Sequence, residues 1–245
     1  ADAYDFYGNG CALTLTDPRH DFHPRGSSTG STYNAGLVGS WTISATLGLL
    51  NSNDVTANVS HRPALPLVVR PLGPIDMTAD DSQTFTADAY DADGNDWDVT
   101  GTVTWNENDP LGSFTGSTYN AGTVGSWTIY AGYNALFSNN VTANVSHGAA
   151  VDVDISPSYA ALNSDQTQQF TATATDSDGN EWNVTNTSIW TTSDSTGTVV
   201  NGLYNPGTVG SWTVDVTFNG YSDYANVDIT HGAAVSIAIA PTGPL

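Results

Sequence analysis

Hydrophobic and polar residues alternate along most of this chain with a period of two. Trp41, Ile43 and Ala45 fall on one side of an extended segment, whereas Ser40 and Thr42 fall on the other. Successive side chains of a β-strand point to opposite faces, so this pattern predicts strands that bury one face. The same chain shows no helical periodicity, and an all-β fold is therefore expected.

The alternating segments recur in three copies. GSTYNAGLVGSWTISATLG begins at Gly30, GSTYNAGTVGSWTIYAGYN at Gly116 and NGLYNPGTVGSWTVDVTFN at Asn201. The period is 86 residues and then 85, as measured between Tyr33, Tyr119 and Tyr204. Similarity at a fixed period indicates an array of modules, and a module of this length is a normal domain.

Further strands repeat in phase inside each module. Their inward positions are predicted to be Phe85, Ala87, Ala89, Trp105, Trp127, Ile129 and Ala131 in the second copy, Phe170, Ala172, Ala174, Trp190, Trp212, Val214 and Val216 in the third, and Val55, Ala57 and Val59 in the first. Clusters of Gly, Asn, Asp and Pro separate them at a spacing typical of sandwiches. The chain is thus predicted to be a series of β-sandwich domains.

Three features together resemble the bacterial immunoglobulin-like (Big) families. They are the segments TADAYDADGNDWDVT and TATATDSDGNEWNVT, the Trp105 or Trp190 that follows, and the Gly-Ser-Trp strand. These families occur as tandem modules in invasin and intimin-type adhesins and in archaeal and bacterial surface-layer proteins. The resemblance covers nearly the whole chain and implies tandem Ig-like β-sandwich domains of about 85 residues, arranged end to end and outside the cell. It implies no particular ligand.

The repeat pattern places the domain boundaries. We expect an incomplete domain 1 over 1–63, domain 2 over 64–148, domain 3 over 149–232, and the opening strand of a further domain over 233–245. Ala1 aligns with Ala87 in the middle of a strand, and HGAAVSIAIAPTGPL matches HGAAVDVDISPSY. The sequence is either a window on a longer polypeptide or a subunit whose last strand completes a neighbouring copy. The apolar positions of that assembly strand are Val235, Ile237, Ile239 and Leu245.

The net charge of the chain argues against two classes of binding partner. The chain has 23 Asp and 2 Glu against 4 Arg and no Lys, giving a net charge of −21. Nucleic acid and anionic membrane surfaces attract Lys and Arg, so neither is an expected partner. Cys11 is the only cysteine, which excludes an internal disulfide. No apolar run approaches the roughly 18 residues of a membrane span, so direct membrane insertion is not expected.

Two acidic turns are candidate calcium sites, although no cofactor is required by the fold. They place oxygen ligands at alternate positions around a glycine, as calcium loops do. An ordinary hairpin turn is the competing interpretation, because Asp-Gly and Gly-Asn also favour turns. The first repeat reads Asp5-Phe-Tyr-Gly8-Asn9 and keeps the turn residues while it loses one carboxylate. The candidate ligands are Asp91, Asp93, Asn95, Asp96, Asp176, Asp178, Asn180 and Glu181.

Glycans are further candidate partners. Asn-X-Ser/Thr sequons begin at Asn58, Asn140, Asn144, Asn183 and Asn186. Chance occurrence in a chain rich in Asn and Thr is the alternative. Each module also ends at a histidine (His61, His147 and His231), which is interpreted as a strand-end or interface residue.

Two segments, 10–26 and 62–74, depart from the repeat and contain all four arginines. Arg19 stands where Trp105 and Trp190 supply the core, and Cys11 stands where the other copies have Trp97 and Trp182. An arginine in that core position would bury an unpaired charge. Either a frameshifted or uncertain stretch of sequence or a specialised loop explains them.

No nucleophile elbow, phosphate loop or zinc helix is present in the sequence, and the polar features recur in every repeat, so an enzyme is not expected. The favoured function is a structural subunit of an extracellular filament, sheath or surface layer that assembles head to tail with copies of itself. The alternatives are the stalk of a cell-surface adhesin and, less favoured, a carbohydrate-binding module. Candidate sugar platforms are Tyr130, Tyr133, Tyr221 and Tyr224.

Overall fold

The computed structural model describes residues 2–4, 7, 10–12, 27–29, 32–47, 49–238 and 243, with backbone only for 2–4, 10–12 and 27–29. Every regular element among these residues is a β-strand. Within this part of the chain no helix has the length and apolarity needed to span a bilayer. The all-β prediction is confirmed.

The first repeat contains short antiparallel pairs. β1 pairs with β2, β3 with β4, β5 with β8, and β6 with β7. The strands are β1 Asp2–Tyr4, β2 Gly10–Ala12, β3 Ser27–Thr29, β4 Thr32–Asn34, β5 Gly39–Ile43, β6 Thr46–Leu47, β7 Leu50–Asn51 and β8 Val55–Val59.

The second repeat adds a central strand, β12, with β9 on one edge and β13 on the other. A parallel pair, β10 with β19, lies in another sheet. The strands are β9 Leu67–Arg70, β10 Ile75–Thr78, β11 Ser82–Thr84, β12 Thr86–Tyr90, β13 Asp96–Asp98, β14 Thr104–Asn106, β15 Ser113–Thr115, β16 Thr118–Asn120, β17 Gly125–Tyr133, β18 Leu136–Phe137 and β19 Val141–Ser146.

The third repeat has the same plan, and several of its strands, such as β20 and β29, are longer than their counterparts. Its sheets have the orders β20-β23-β24, β21-β29-β28-β25 and β22-β27-β26. The strands are β20 Ala150–Ser156, β21 Tyr159–Asn163, β22 Gln168–Gln169, β23 Thr171–Asp176, β24 Glu181–Asn183, β25 Ile189–Thr192, β26 Thr198–Val200, β27 Leu203–Asn205, β28 Gly210–Phe218 and β29 Tyr221–Thr230.

The core of the third repeat lies between the sheet β20-β23-β24 and the sheet β21-β29-β28-β25. One sheet contributes alternate residues of β20 and β23, and the other contributes alternate residues of β28 and β29. A tight Asn219-Gly220 turn with positive φ at both residues joins β28 to β29, as a two-residue hairpin requires. The core side chains include Val153, Ile155, Phe170, Ala172, Ala174, Val214, Val216, Ala225, Val227 and Ile229.

The second repeat buries the corresponding positions. Phe85, Ala87, Ala89, Ile129 and Ala131 are fully buried, as the alternation predicted. Segment 62–74 is part of this fold, because it supplies β9, whose Leu67 and Val69 point inward. Most of segment 10–26, with Arg19 and Arg25, lies outside the described residues.

The chain divides into two compact units. One comprises Ala1–Gly73, Phe85–Asn106 and Ile129–Val141, and the other comprises Pro74–Thr84, Glu107–Thr128 and Thr142–Leu245. The third repeat lies wholly in the second unit, and the strands of the second repeat belong to both. The predicted boundaries after residues 63, 148 and 232 stay predictions.

The buried phenylalanine of the third repeat tests the core assignment. We expect Phe170→Ala to lower the free energy of unfolding by about 3–5 kcal/mol, because it removes a large side chain from a packed interior. Calorimetry of the purified chain measures this. Phe137→Ala is the matched control, since its side chain is 71% exposed. Equal effects of the two substitutions would contradict the assignment.

Candidate functional site: the junctions between repeats

The two acidic turns are closed by their own first aspartate. The Asp91 carboxylate accepts hydrogen bonds from the backbone N–H groups of Asp93 and Asn95 at 3.0 and 2.9 Å. It also accepts bonds from the Asn95 side-chain amide, which lies 2.9 Å from Oδ2. Asp176 does the same with Asp178 and Asn180 at 3.1 and 2.9 Å. These carboxylates thus hold a tight turn in the second and third repeats, at the end that adjoins the preceding repeat.

The asparagine that ends each turn reaches into the preceding repeat. Asn95 Nδ2 donates to the Gly36 carbonyl at 3.0 Å, and Asn95 Oδ1 accepts from the Val38 N–H at 3.2 Å. The side-chain amide therefore pairs with the backbone as another peptide group would. It connects the second repeat to the first.

The same contact occurs one repeat later. Asn180 Nδ2 lies 2.8 Å from the Gly122 carbonyl, and Asn180 Oδ1 lies 3.0 Å from the Val124 nitrogen. We call this pair of bonds, with the aspartate that orients the amide, the Asn clamp. Because the carboxylate of Asp176 takes the second proton of Nδ2, the amide nitrogen must face Gly122. Asp176 thereby fixes the orientation of the amide.

The backbone groups that the Asn clamp binds belong to a three-residue loop that recurs in all three repeats, and we call it the clamp loop. It reads Gly-Leu-Val at 36–38 and Gly-Thr-Val at 122–124 and 207–209. Trp41, Trp127 and Trp212 each donate from Nε1 to the carbonyl of its middle residue, at 2.9, 2.6 and 2.7 Å. The tryptophan thus holds the loop while the flanking backbone groups face the next repeat.

A stacked ring pair accompanies each clamp. His61 lies against Trp97 with ring centroids 4.1 Å apart, and His147 lies against Trp182 at 4.4 Å. The histidine ends one repeat and the tryptophan belongs to the next. The interpretation of His61 and His147 as interface residues is confirmed.

Two aspartates that sequence analysis missed brace the linkers. Asp80 Oδ2 accepts from the Ala149 N–H at 2.6 Å, and Asp165 Oδ2 accepts from the Ala233 N–H at 2.7 Å. The Gly148 N–H is bound by Asp176 of the following turn at 2.9 Å. The recurrence of Asp80 and Asp165 one period apart was the available signal.

A second missed pair supports the clamp loop from inside. Asp109 accepts from the Tyr119 hydroxyl at 2.8 Å and from the Gly122 N–H at 2.9 Å. Asp194 makes the same bonds with Tyr204 and Gly207 at 2.9 and 2.8 Å. Burial, and then the hydrogen bond to the neighbouring aspartate, raise the pKa of both tyrosines. Both aspartates stand ten residues before the marker tyrosine, which the sequence shows.

The junction carboxylates are held ionised. Burial disfavours the charged form of Asp91, but bonds from the Asn95 side chain and from the backbone of Asn95, Arg62 and Asp93 outweigh it and lower its pKa to about 2. At Asp176 burial is likewise outweighed, by bonds from Asn180, Gly148 and Asp178, so its pKa is lowered. A negative charge therefore persists beside each clamp at neutral pH.

The proposed calcium ligands serve several roles in the structure. Asp93 forms an ion pair with Arg62 at 3.0 Å, and Asp96 and Glu181 begin β13 and β24 with exposed side chains. Within the described ranges, no group of three or more His, Cys, Asp and Glu side chains lies close enough to hold a metal ion. The geometry agrees with the hairpin-turn interpretation, and calcium binding stays a prediction.

The sequon asparagines fall into two groups. Asn140, Asn183 and Asn186 are exposed. Asn144 is half-buried on β19, with its Nδ2 donating to Asp76 at 2.8 Å and its Oδ1 accepting from Ser126 at 2.8 Å. The exposed Asn58 has a similar bond from Ser40. Glycosylation at these five residues stays a prediction.

The described part of the predicted assembly strand, residues 235–238, forms no ladder with a described strand. Residues 231–238 adopt no regular structure, and Val235 and Ile237 are 98% and 95% exposed. Ile239 and Leu245 lie outside the described residues. A matching edge exists on β1: its counterparts β12 and β23 pair there with β9 and β20, whereas no described strand occupies that edge of β1.

A family model matches part of this chain. Residues 149–227 match the bacterial Ig-like domain (group 2) family. This match lies within the third repeat. Since the other repeats share its markers, the chain is a tandem array of Ig-like β-sandwiches, as the resemblance implied.

One curated relative is much longer than this chain. Ice-binding protein 1 of Shewanella frigidimarina (strain NCIMB 400) is 29% identical over 167 residues, which are 66% of this chain and 19% of that protein. The chain thus spans about a fifth of the curated relative that it matches.

Two solved structures are similar in part. Invasin, a bacterial integrin-binding protein, has a TM-score of 0.40 at 15% identity over 92% of this chain and 54% of that one. Domains 1–6 of surface layer protein SbsC have a TM-score of 0.33 at 16% identity over 96% of this chain and 38% of that one.

An isosteric substitution tests the clamp. We expect Asn180→Asp to loosen the junction, because a carboxylate cannot donate to the Gly122 carbonyl and is repelled by Asp176. The free energy of unfolding falls by about 1–3 kcal/mol. Distances between spin labels on residues 64–148 and 149–232, in a Cys11→Ser background, become more widely distributed.

The control for this test is Asn186→Asp, which adds the same charge at an exposed asparagine. It should leave both readouts unchanged. A distance distribution that is as narrow in Asn180→Asp as in the control would show that the clamp does not hold the repeats.

The acid response of the first junction follows from Asp91. Its pKa in the folded chain is about 2, below its ordinary value of 3.8. Its ionised form therefore favours folding, and this contribution is complete above pH 3.8 and is lost as the pH falls towards 2. We expect the difference in unfolding free energy between the natural chain and Asp91→Ala to be constant from pH 7 to 5 and to shrink below pH 4. A difference independent of pH would contradict this account.

Proposed function

We propose that this chain is a structural repeat protein of an extracellular filament, sheath or surface layer, in which Ig-like modules follow one another head to tail. It acts as a spaced, semi-rigid scaffold and catalyses no reaction. Its principal partners are further copies of itself, and glycans at exposed sequons are additional partners.

The observation that carries this proposal is the use of one contact at two successive junctions. Asn95 and Asn180 bind the same two backbone groups of the preceding repeat. When each module meets the next through the same atoms, every step along the chain has a similar direction. Two unlike ends that fit each other also allow open-ended growth.

The assembly strand would join one copy of the chain to the next. His231 to Ile239 matches His147 to Ile155, so Ile237 corresponds to Val153 and Val235 to Val151. Val153 is 1% exposed and pairs with Ala174, whereas Val151 is 44% exposed. We infer that residues 235–239 pair with the open edge of β1 in a neighbouring copy, with Ile237 directed inward and Val235 outward.

Surface charge sets the conditions for such assembly. A net charge of −21 makes copies repel one another at low ionic strength. Salt or divalent cations, calcium among them, reduce this repulsion. Assembly is therefore favoured in salty, calcium-containing surroundings outside the cell.

Two other functions use the same fold. In an adhesin stalk the repeats would space a binding tip from the cell, and the junction geometry suits that role equally well. The matched part of Ice-binding protein 1 is only 19% of that protein, which fits a module inside a longer chain. A carbohydrate-binding module would use exposed tyrosines, of which Tyr221 and Tyr224 are 41% and 55% exposed.

Electron microscopy of the concentrated chain in calcium-containing buffer tests the filament proposal. We expect linear head-to-tail assemblies for the natural chain, and their loss in Ile237→Asp, because the new carboxylate would enter a core. Val235→Asp is the matched control, since it adds the same charge two residues away on the outward face. Both side chains are almost fully exposed in a single chain, so neither variant disturbs the fold of the third repeat.

The outcomes separate the functions. Assemblies in the natural chain and in Val235→Asp, but not in Ile237→Asp, support the filament. Assemblies that tolerate both substitutions would contradict strand pairing in the inferred register. A chain that stays monomeric at every concentration and salt level would favour the stalk.

A further inference from the structure

We propose that the second and third repeats each bear tension along the array through a parallel ladder that ties a strand near the start of the repeat to its last strand. In the third repeat this ladder joins β21 to β29, and in the second it joins β10 to β19. The inference rests on the proposed function only in that a filament, like a stalk, must transmit load from one repeat to the next.

The chain enters and leaves the ladder of the third repeat at opposite ends. It enters β21 at Tyr159, which pairs with Asn226, and it leaves β29 at Thr230, which pairs with Asn163. Tension applied through the linkers before and after the repeat therefore pulls the two strands past each other along their length. In that direction the hydrogen bonds of the ladder are loaded together, whereas strands pulled apart from one end lose them one at a time.

The strand before β21 receives the load first. Tension from the preceding linker reaches β20, which pairs with β23 in a ladder whose register shifts between Ala150 and Asp152. Only residues 157 and 158 separate β20 from β21. The β21–β29 ladder consequently takes any load that the β20–β23 ladder releases.

Hydrogen bonds extend the ladder beyond its paired residues at both ends. The Asn226 N–H donates to the Ser158 carbonyl at 3.0 Å, and the Ser164 N–H donates to the Thr230 carbonyl at 3.0 Å. The Thr230 hydroxyl also donates to the Leu162 carbonyl at 3.1 Å. Each of these bonds joins the segment of β21 to the segment of β29, so each opposes sliding.

A side-chain tie crosses three strands on the outer face of the same sheet. Asp228 of β29 accepts from the Tyr159 hydroxyl of β21 at 2.9 Å and from the Ser211 hydroxyl of β28 at 2.6 Å. The bonds from Ser211 and Tyr159 lower the pKa of Asp228, so its carboxylate is ionised at neutral pH. Hydrogen bonds to an ionised carboxylate are stronger than those between neutral groups.

The second repeat has a corresponding tie made by different residues. Asn144 of β19 donates to Asp76 of β10 at 2.8 Å and accepts from Ser126 of β17 at 2.8 Å. The Ala79 N–H extends the ladder to the Ser146 carbonyl at 2.9 Å. The tie thus joins the same three strands in both repeats although its side chains differ, which indicates a shared requirement for strength where these strands meet.

Force spectroscopy on the full chain tests the proposal by changing only the direction of pull. Handles are attached in a Cys11→Ser background, either through Ala149→Cys with Ala233→Cys in the linkers or through Thr167→Cys with Ala233→Cys. All three attachment residues are exposed. We expect a higher rupture force for the linker attachment, which slides β21 along β29, than for the Thr167 attachment, which pulls the two strands apart from their shared C-terminal end.

Removal of one hydroxyl tests the side-chain tie. We expect Tyr159→Phe to rupture about fivefold faster at constant force in the linker attachment, which corresponds to the loss of one hydrogen bond. Tyr224→Phe is the matched control and should rupture at the natural rate, because Tyr224 lies on β29 and the two side chains are similarly exposed, at 54% for Tyr159 and 55% for Tyr224. Tyr159→Phe should have a smaller effect in the Thr167 attachment, since opening then begins at the other end of the ladder.

The results separate this inference from the filament itself. A rupture force through the linkers that is equal to or lower than that of the Thr167 attachment would overturn it, and so would equal effects of Tyr159→Phe and Tyr224→Phe. A higher force through the linkers together with a specific effect of Tyr159→Phe supports it. These readouts come from single chains, so they hold whether or not electron microscopy finds filaments.

Discussion

The junctions between the repeats of this chain depend on the side-chain amide of one asparagine in the second repeat and one in the third. An amide can donate and accept at once, so Asn95 and Asn180 can each bind a backbone carbonyl and a backbone N–H of the preceding module. An aspartate would lack the donor, and a glutamine would be longer by a methylene. The neighbouring aspartate decides which end of the amide faces which backbone group.

The rest of the junction follows from this requirement. The clamp loop must present its backbone outward, so a tryptophan and a buried aspartate hold it from the other side. The linker must leave in a fixed direction, so Asp80 binds it. Asp109 is buried, but the hydrogen bonds it accepts from Thr123, Tyr119 and Gly122 outweigh the cost of burial and lower its pKa. This explains how so acidic a chain can place a carboxylate in its interior. Much of the remaining negative charge lies on exposed faces, where it opposes nonspecific association between molecules.

The fold was predictable because its information is local and repeated. Alternation along β28 and β23 identified the buried positions, and three copies of the Gly-Ser-Trp strand identified the module. The clamp was not predictable in the same way. Asp91 and Asn95 look like calcium ligands when only their own turn is considered, but Asn95 also binds the Gly36 carbonyl, which lies 59 residues away. Asp109 and Asp194 were overlooked because their partners lie across a loop, although their periodicity was visible. Segment 62–74 does not show the repeat pattern, but it has two inward-facing residues, Leu67 and Val69, and it forms β9.

The central claim is that successive copies meet as successive repeats do. High-resolution electron microscopy of assembled chains measures the rotation and rise between neighbouring modules within a chain and across the contact between chains. The account predicts that the two agree. A contact between chains with a different rotation or rise would contradict it.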